Sequence, residues 1–290
     1  MPEQEQPSSI ALGDFRITLI REGVYHWDGG ALFGVVPKTL WSRKLPSDEQ
    51  NRVALAFNCY LIETGGHTVL VETGGGDKMD ARARERMKLS PVARPFTETL
   101  AAAGFDPERI DVVINTHLHW DHCGWNTVLR DGIPRPSFPQ ATYYTRRKEW
   151  EHAHERHPRD SVSYIDANYD PLVDSGRMCL MDEDREIVPG VRTHLAPGHN
   201  RDMMVVTANS GGKTFCFFSD LVPTLAHVTP TWVAAFDLFP LEAIDRKIQW
   251  FTTAARENWI CGFGHDAGAA FARIAGENGR FTALPPGPSI

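Results

Sequence analysis

The sequence lacks several features that would place the chain in a membrane or outside the cell. No apolar run reaches the length that crosses a bilayer. The N-terminal segment MPEQEQPSSI is acidic and polar and does not resemble a secretory signal. Cysteine is scarce, odd in number and never arranged as CxxC: Cys59, Cys123, Cys179, Cys216 and Cys261. We therefore expect free thiols, no disulfides and a cytoplasmic location.

Positive charge is also in short supply. The chain has 30 Lys and Arg against 37 Asp and Glu, a net charge of -7, and it contains no block of basic residues. A polyanion finds no general attraction here, so nucleic acid is not expected as a partner. A small-molecule substrate fits better. The sequence leaves open whether the protein forms a homodimer.

The composition is that of an ordinary globular protein. Of the 290 residues, 42% are hydrophobic and 23% are charged, which is enough to enclose a substantial core. We expect one domain over residues 13–282. Residues 1–12 are predicted to be an N-terminal tail, and residues 283–290, which end in LPPGPSI, a proline-rich C-terminal tail.

Strand patterns and helix patterns recur in both halves of the chain. FRITLIRE, VALAFNCYLIE and TVLVE read as strands, and PFTETLAAAG reads as a helix between a proline and a glycine. IDVVIN at 110–115 reads as a short buried strand. A second helix is predicted from one apolar face, formed by Leu241, Ile244, Ile248, Phe251 and Ala255.

The segment THLHWDHCGW at 116–125 follows the IDVVIN strand directly. It places four ligand-type side chains within six positions: His117, His119, Asp121 and His122. In a loop that leaves a sheet, residues two apart can project to the same side. Imidazole and carboxylate are ligands that zinc and similar metals accept. The segment therefore predicts a metal site at a strand end.

Three further ligand-type residues follow other strand-like runs. They are His199 in APGHN, Asp220 in FFSDL and His265 in GFGHD. Side chains at strand ends emerge at the edge of a sheet, where sites are commonly built. Each residue alone is weak evidence, but their order along the chain, together with the first cluster, predicts a site with two metal ions.

The motifs HLHWDH, PGH, SD and GHD, in this order, resemble those of the metallo-β-lactamase superfamily. The resemblance implies an α/β fold, an αββα sandwich in which two mixed β-sheets are flanked by helices. It also implies two divalent metal ions, with Zn expected and Mn, Fe or Co as alternatives. One ion would be held by His117, His119 and His199, the other by Asp121, His122 and His265, with Asp220 as the bridge.

This site predicts a hydrolase that needs no Ser or Cys nucleophile. Two metal ions can hold a bridging hydroxide that attacks a carbonyl at neutral pH. Asp121 and His227 are the predicted catalytic residues for the proton of the leaving group, on position alone. No GxSxG elbow is present, and Cys123 is expected to be a buried filler.

Two other motifs are expected to be unrelated to the site. His152, His154 and His157 lie in a charged helical stretch, where neighbours two apart point in different directions. GGKT at 211–214 echoes a phosphate-binding loop, but position 207 is Thr and a strand follows. It is predicted to be a hairpin turn.

Within the superfamily, DGGALFGVVPKTLW, NCYLIETGG and SDLVPTLAHV resemble the quorum-quenching N-acyl homoserine lactonase branch and its methyl-parathion-hydrolase-like neighbours. The resemblance implies a lactone as substrate, with an apolar wall for its acyl chain. Candidates for that wall are Phe33, Trp232, Phe236 and Phe239.

Two positions depart from the pattern of that branch. Leu221, Val222 and Pro223 follow Asp220, where homoserine lactonases place a tyrosine, and Glu72 replaces an aspartate. A phosphotriesterase or an aryl or carboxyl esterase could use the same site. A nuclease would need a basic surface, and a non-catalytic metal-binding protein would be expected to have lost ligands.

Overall fold

The central strands of the protein are runs of apolar residues that are buried on both faces, because successive side chains of a strand point to opposite faces and both faces are covered. The computed structural model describes residues 8–89 and 93–286. These residues contain sixteen strands: β1 (Ser9–Leu12), β2 (Phe15–Asp28), β3 (Arg52–Glu63), β4 (Thr68–Val71), β5 (Val112–Ile114), β6 (Thr127–Arg130), β7 (Ile133–Pro136), β8 (Thr142–Arg146), β9 (Met178–Met181), β10 (Glu186–Val188), β11 (Val191–Leu195), β12 (Met204–Ser210), β13 (Lys213–Phe217), β14 (Ile260–Gly262), β15 (Ala272–Glu277) and β16 (Arg280–Leu284).

The helices are short, with one exception near the C-terminus. The described residues form α1 (Gly29–Phe33), α2 (Lys38–Trp41), α3 (Ala81–Arg86), α4 (Phe96–Ala102), α5 (Trp120–Cys123), α6 (Arg147–Glu155), α7 (Asp170–Asp174) and α8 (Pro240–Arg256), besides short 3-10 turns. None of these helices is long and apolar enough to cross a membrane. α4 is the helix predicted from PFTETLAAAG.

The strands form two seven-stranded sheets and one small hairpin. The first sheet has the order β1-β2-β3-β4-β5-β8-β9, and the second runs from β10 to β16 in sequence order. Pairing is parallel from β4 through β5 and β8 to β9, and between β13 and β14. The other pairs of both sheets are antiparallel, so both sheets are mixed, as predicted.

The two sheets pack face to face, and helices cover their outer faces. β3 shows how the sequence specifies this, because its alternate residues serve different layers. Tyr60 and Ile62 enter the core between the sheets, where they meet residues such as Phe217 of β13. Cys59 and Leu61 point outward into the layer that contains α4, α6 and α7. With α8 on the outer face of the second sheet, the predicted αββα sandwich is confirmed.

The buried face of α8 agrees with the predicted one only in part: Phe251 is buried and Ile244 packs against the same core, as predicted. Leu241 is 77% exposed, and the residues buried along the helix are Ala243, Lys247, Phe251 and Ala254. The apolar pattern misplaced the face because a lysine lies in its centre. The Lys247 ammonium donates a hydrogen bond to the carbonyl oxygen of Trp232 at 2.6 Å, and this bond offsets part of the free-energy cost of burying the charged group.

Both predicted tails need correction at their inner ends. Ser9–Leu12 forms β1, which pairs with β2 and buries Leu12, so the folded domain starts before residue 13. At the other end, β16 extends through residues 283 and 284 and pairs with β15. Strand pairing orders both segments despite their polar flanks. Residues 1–7 and 287–290 lie outside the described residues.

Tyr60 links the two sheets by hydrogen bonds as well as by packing. Its hydroxyl donates to Ala270 O at 2.6 Å and accepts from Phe263 N at 3.2 Å. Tyr60→Phe should keep the ring packing and leave both backbone groups unpaired. We expect the free energy of unfolding in urea to fall by about 1–3 kcal/mol. The control is Tyr144→Phe, whose hydroxyl has no hydrogen-bond partner among the described residues. Equal losses in both variants would contradict the prediction.

Candidate metal centre

Seven ligand-type side chains meet at one edge of the sandwich, although they come from both sheets. The first sheet contributes the segment that follows β5 and continues into α5. The second contributes the loops after β11, β13 and β14. The residues brought together are the seven predicted from the sequence: His117, His119, Asp121, His122, His199, Asp220 and His265.

These residues fall into two groups that share one carboxylate. His117, His119, His199 and Asp220 place their ligand atoms within 4.8 Å of one another, and Asp121, His122 and His265 do the same. The two groups contain the residues of the two ligand sets implied by the family resemblance, and the assignment of each residue as a ligand remains a prediction. A further group, Glu72, His117 and His122, also places its ligand atoms within 4.8 Å of one another and crosses this division.

Asp220 lies between the groups and turns one oxygen to each. Its Oδ2 is 3.4 Å from His199 Nε2 and 3.9 Å from His117 Nε2. Its Oδ1 is 2.9 Å from His265 Nε2 and 3.3 Å from His122 Nε2. A carboxylate in this position can bridge two cations.

The arrangement fits divalent metal ions better than it fits hydrogen bonding alone. His199 Nε2 lies 3.0 Å from His119 Nδ1, and His265 Nε2 lies 3.2 Å from His122 Nε2. Such facing nitrogens repel each other unless a proton or a cation lies between them. His117 Nε2 is buried and has no hydrogen-bond partner among the described residues. Imidazole nitrogens and carboxylate oxygens are a donor set suited to zinc.

The electrostatics of the site centre on the carboxylate of Asp220. Burial would lower the pKa of His122, His199 and His265, but Asp220 raises all three pKa values. Burial and the neighbouring imidazoles lower the pKa of His117 and of His119 well below the usual value, so both rings are neutral, the form that binds metal. Burial alone would raise the pKa of Asp220, but His122 and His265 lower it well below its usual range. The carboxylate is therefore charged and attracts positive charge into the site.

Glu72, the residue that departs from the branch pattern, supports the ligands from behind. Its Oε1 accepts from the Thr116 hydroxyl at 2.5 Å and lies 3.4 Å from His122 Nδ1. The backbone of Glu72 has a φ of 64°, which is unusual for a residue other than glycine. The longer side chain therefore still reaches both the segment that carries His117 and the ring of His122.

Two residues at the site carry no motif that identifies them in the sequence. Asp237 Oδ1 lies 2.8 Å from His199 Nδ1, so it fixes the ring and leaves Nε2 free to face Asp220. Tyr25, on β2, places its hydroxyl 3.4 Å from Asp121 Oδ2 and 3.3 Å from His265 Nδ1. Both are brought to the site only by the fold.

His227 does not occupy the position predicted for it. Its ring is fully buried and does not line the cavity next to the site. Nδ1 lies 2.8 Å from the Thr224 hydroxyl, and Nε2 lies 3.1 Å from Leu32 O, while the ring stacks on Phe33. Burial lowers the pKa of His227 to about 3. The prediction of a proton donor is wrong, because both ring nitrogens serve internal contacts.

The site opens into a cavity of about 460 Å³ with a largely apolar wall. Of the four predicted wall residues, only Phe236 lines it. Phe33 is buried between Trp41 and His227, Trp232 packs on Phe33, and Phe239 lies beneath the Arg201 guanidinium. The apolar wall is formed instead by Trp27, Leu32, Leu55, Met79, Met87, Trp120 and Ile165, together with Phe236.

The motifs set aside in the sequence do not join the site. His152 pairs with Asp160 at 2.7 Å and His154 with Asp170 at 3.1 Å, so the two rings diverge as predicted. Residues 211 and 212 form the turn between β12 and β13, as expected for a hairpin. Cys123 is buried and its thiol contacts the carbonyl oxygens of Leu118 and His119.

Comparison with known proteins identifies the family. Residues 54–265 match the family described as the metallo-beta-lactamase superfamily. The chain belongs to this superfamily. The match includes all seven ligand-type residues and confirms the family resemblance drawn from HLHWDH, PGH, SD and GHD.

Relatives within the superfamily are distant in sequence and close in fold. An N-acyl homoserine lactonase of Bacillus cereus is 27% identical over 175 residues, 56% of this chain but only 62% of that enzyme. A probable metal-dependent hydrolase from Staphylococcus aureus aligns with a TM-score of 0.86 at 26% identity, covering 97% of this chain and 100% of that one. AidC, a dizinc quorum-quenching lactonase, has a TM-score of 0.79 at 19% identity, covers 97% of both chains and shares the fold.

The buried, neutral ring of His227 should make this superfamily member sensitive to acid. Its folded pKa of about 3 lies below the usual 6.5, so the unfolded chain binds the extra proton. Its contribution to stability is therefore complete above about pH 6.5 and is lost as the pH falls toward 3. Between about pH 6.5 and pH 4.5, protonation of His227 in the unfolded chain should lower the unfolding free energy of the wild type by on the order of 2 kcal/mol. The His227→Gln variant should not show this part of the decrease.

Chemical denaturation of metal-free protein across this range measures the effect. The exposed His67→Gln is the control and should retain the wild-type pH dependence. A His227→Gln profile parallel to that of the wild type would contradict the prediction.

Asp237 should raise metal affinity by orienting His199. Asp237→Asn weakens the acceptor for His199 Nδ1, and such changes behind a ligand typically cost 10–100-fold in metal affinity. Competition with a chelator measures the loss. Asp170→Asn is a matched control, because Asp170 also pairs with a histidine, His154, but does not line the cavity. The same loss in both variants would argue against a specific role for Asp237.

Proposed function

We propose that the protein is a hydrolase that uses two divalent metal ions to open lactones, with N-acyl homoserine lactones as the leading candidates. The observation that carries the metal-dependent chemistry is the position of Asp220 between two groups of histidines. The lactone is supported by the kinship to N-acyl homoserine lactonases and by the fold shared with AidC. A small-molecule substrate is consistent with the size of the cavity beside the ligand cluster, about 460 Å³.

In this proposal the seven residues form two ligand sets that share Asp220. His117, His119 and His199 would hold one ion, and Asp121, His122 and His265 the other, with Asp220 between them. Zn is the expected metal, and Mn, Fe or Co are accepted by the same donors. When bound, two such ions lower the pKa of water and supply a nucleophile at neutral pH.

The chain's own residues would handle the substrate and the proton. Asp121 lines the cavity and its side chain is 15% exposed, so its carboxylate can carry a proton to the alcohol that leaves when the ring opens. The Tyr25 hydroxyl stands beside Asp121 and His265 on the cavity wall. Tyr25 therefore supplies a phenol hydroxyl at the site, whereas the segment after Asp220, where homoserine lactonases place a tyrosine, has none.

The cavity suits a substrate with a polar head and an apolar chain. The ligand cluster forms one polar end, and aromatic and methionine side chains form the apolar part of the wall. Charged side chains, among them Lys78, Arg86 and Arg159, also line the cavity. Burial of an acyl chain against such a wall contributes roughly 0.8 kcal/mol for each CH₂ group. Affinity should therefore rise with chain length until the wall is covered.

The proposal is tested first by the metal content of the protein and then by its turnover of substrates. Purified protein should contain two metal ions per chain, and removal of the metals by a chelator should abolish turnover until Zn is restored. His199→Ala should lose metal and activity, whereas His194→Ala, outside the site and bonded to Thr207, should lose neither. Retention of full activity by the metal-free protein would disprove the metal-dependent mechanism.

A substrate panel then separates the hydrolase reactions. It contains acyl homoserine lactones of several chain lengths, simple lactones, aryl esters and a phosphotriester. We expect the highest kcat/KM with acyl homoserine lactones. Two bound metals with no lactone turnover would refute the proposed lactone substrate but would leave the assignment as a metal-dependent hydrolase intact. Faster turnover of the phosphotriester would assign the site to that chemistry.

A further inference from the structure

Glu149 is a buried carboxylate that the proposed reaction does not use. It lies in the first turn of α6, its side chain is fully buried, and both of its oxygens accept hydrogen bonds. Burial raises the pKa of Glu149 to about 7, even though three donors point at the carboxylate. A buried carboxylate is costly unless its hydrogen bonds compensate, so the position of these donors shows what Glu149 holds in place.

The three donors come from three separate segments around the candidate metal centre. Oε1 accepts from the backbone N–H of Leu118 at 2.9 Å and from the Tyr164 hydroxyl at 3.1 Å. Oε2 accepts from the Asn200 side-chain amide at 2.8 Å. One side chain therefore ties together the loop after β5, the loop after β11 and the segment that follows α6.

Two of these contacts lie immediately beside histidines of the same group. Leu118 stands between His117 and His119, and Asn200 follows His199. The first loop belongs to one sheet and the second to the other, so nothing in local sequence fixes the distance between them. Glu149 spans this gap.

The third contact holds one of the rings directly. Tyr164 pairs with His119 through a backbone bridge, and its ring packs edge-on against the His119 ring with centroids 4.8 Å apart. Its hydroxyl is held by Glu149. The carboxylate thus reaches His119 by two routes, through the backbone of Leu118 and through Tyr164.

We infer that Glu149 is a positioning residue for the proposed metal centre: it sets the separation between His199 and the pair His117 and His119. Its loss weakens the binding of the ion in that group and leaves the group of Asp121, His122 and His265 intact. The inference rests on the proposed function for the existence of the metal centre and does not depend on which substrate is turned over.

The contact with Asn200 allows a test by exchange of donor and acceptor. Asn200 also accepts from Asp202 N through Oδ1, which fixes its Nδ2 toward Glu149. Glu149→Gln sets one amide NH₂ against another, and Asn200→Asp sets one carboxylate against another. The double variant, Glu149→Gln with Asn200→Asp, places an amide against a carboxylate in the reverse direction. It should restore the hydrogen bond between the two loops.

Titration of the metal-free proteins with Co²⁺, followed by visible absorption and by competition with a chelator, gives the affinity for each ion. We expect two bound ions in the wild type. In Glu149→Gln the affinity for one ion should fall 10–100-fold, while the other changes less than about threefold. Asn200→Asp should show the same selective loss, and the double variant should recover most of it. Urea unfolding of each metal-free variant shows whether it is folded.

The outcomes separate this inference from the proposed function. Wild-type protein that binds no Co²⁺ overturns both. Two bound ions without lactone turnover refute only the substrate. If Glu149→Gln is folded and binds both ions as the wild type does, or if the affinity for both ions falls equally in all three variants, the positioning role is refuted. If Glu149→Gln does not fold, the comparison of Asn200→Asp with the double variant decides, and absence of recovery overturns the inference.

Discussion

The candidate site depends on one buried carboxylate, that of Asp220, which faces histidines from both sheets. Its two oxygens turn to different groups, with His265 Nε2 at 2.9 Å on one side and His199 Nε2 at 3.4 Å on the other. A charged carboxylate in a buried position is unfavourable unless positive charge or donors surround it. The neighbouring imidazoles meet part of this requirement, and two cations would meet the rest.

Other buried carboxylates contact the ligand-type residues on the side away from Asp220. Glu72 reaches His122 and the Thr116 hydroxyl, and Asp237 holds His199. Glu149 acts farther out, on the backbone of Leu118 and on Asn200. The rings of His122 and His199 are thus contacted at Nδ1, on the side opposite Asp220, and these contacts orient each Nε2 toward Asp220. The αββα sandwich provides this support because each sheet delivers its loops to the same edge.

Sequence patterns predicted a large part of this arrangement. The strands β2 to β5 followed from their apolar pattern, and the helix α4 followed from the proline and glycine at its ends. The seven ligand-type residues followed from their spacing and order along the chain. Errors arose where tertiary contacts overrode local pattern. Leu241 looked like a core residue and is exposed, whereas Lys247 is buried and its ammonium donates a hydrogen bond to Trp232 O. Ser9–Leu12 looked like a tail and pairs as a strand.

The sequence by itself determined the kind of chemistry, because HLHWDH concentrates four metal-binding side chains within six positions. It also determined the alternation that assigns Tyr60 and Cys59 to opposite faces of β3. Only the tertiary structure decided which residues surround the ligands. Tyr25, Asp237 and Glu149 lie far from the motif in sequence, and His227 lies near Asp220 in sequence yet turns away from the cavity. The reason is physical: a ligand set can be recognised from residue type and spacing, but a supporting contact exists only when packing brings its two partners together.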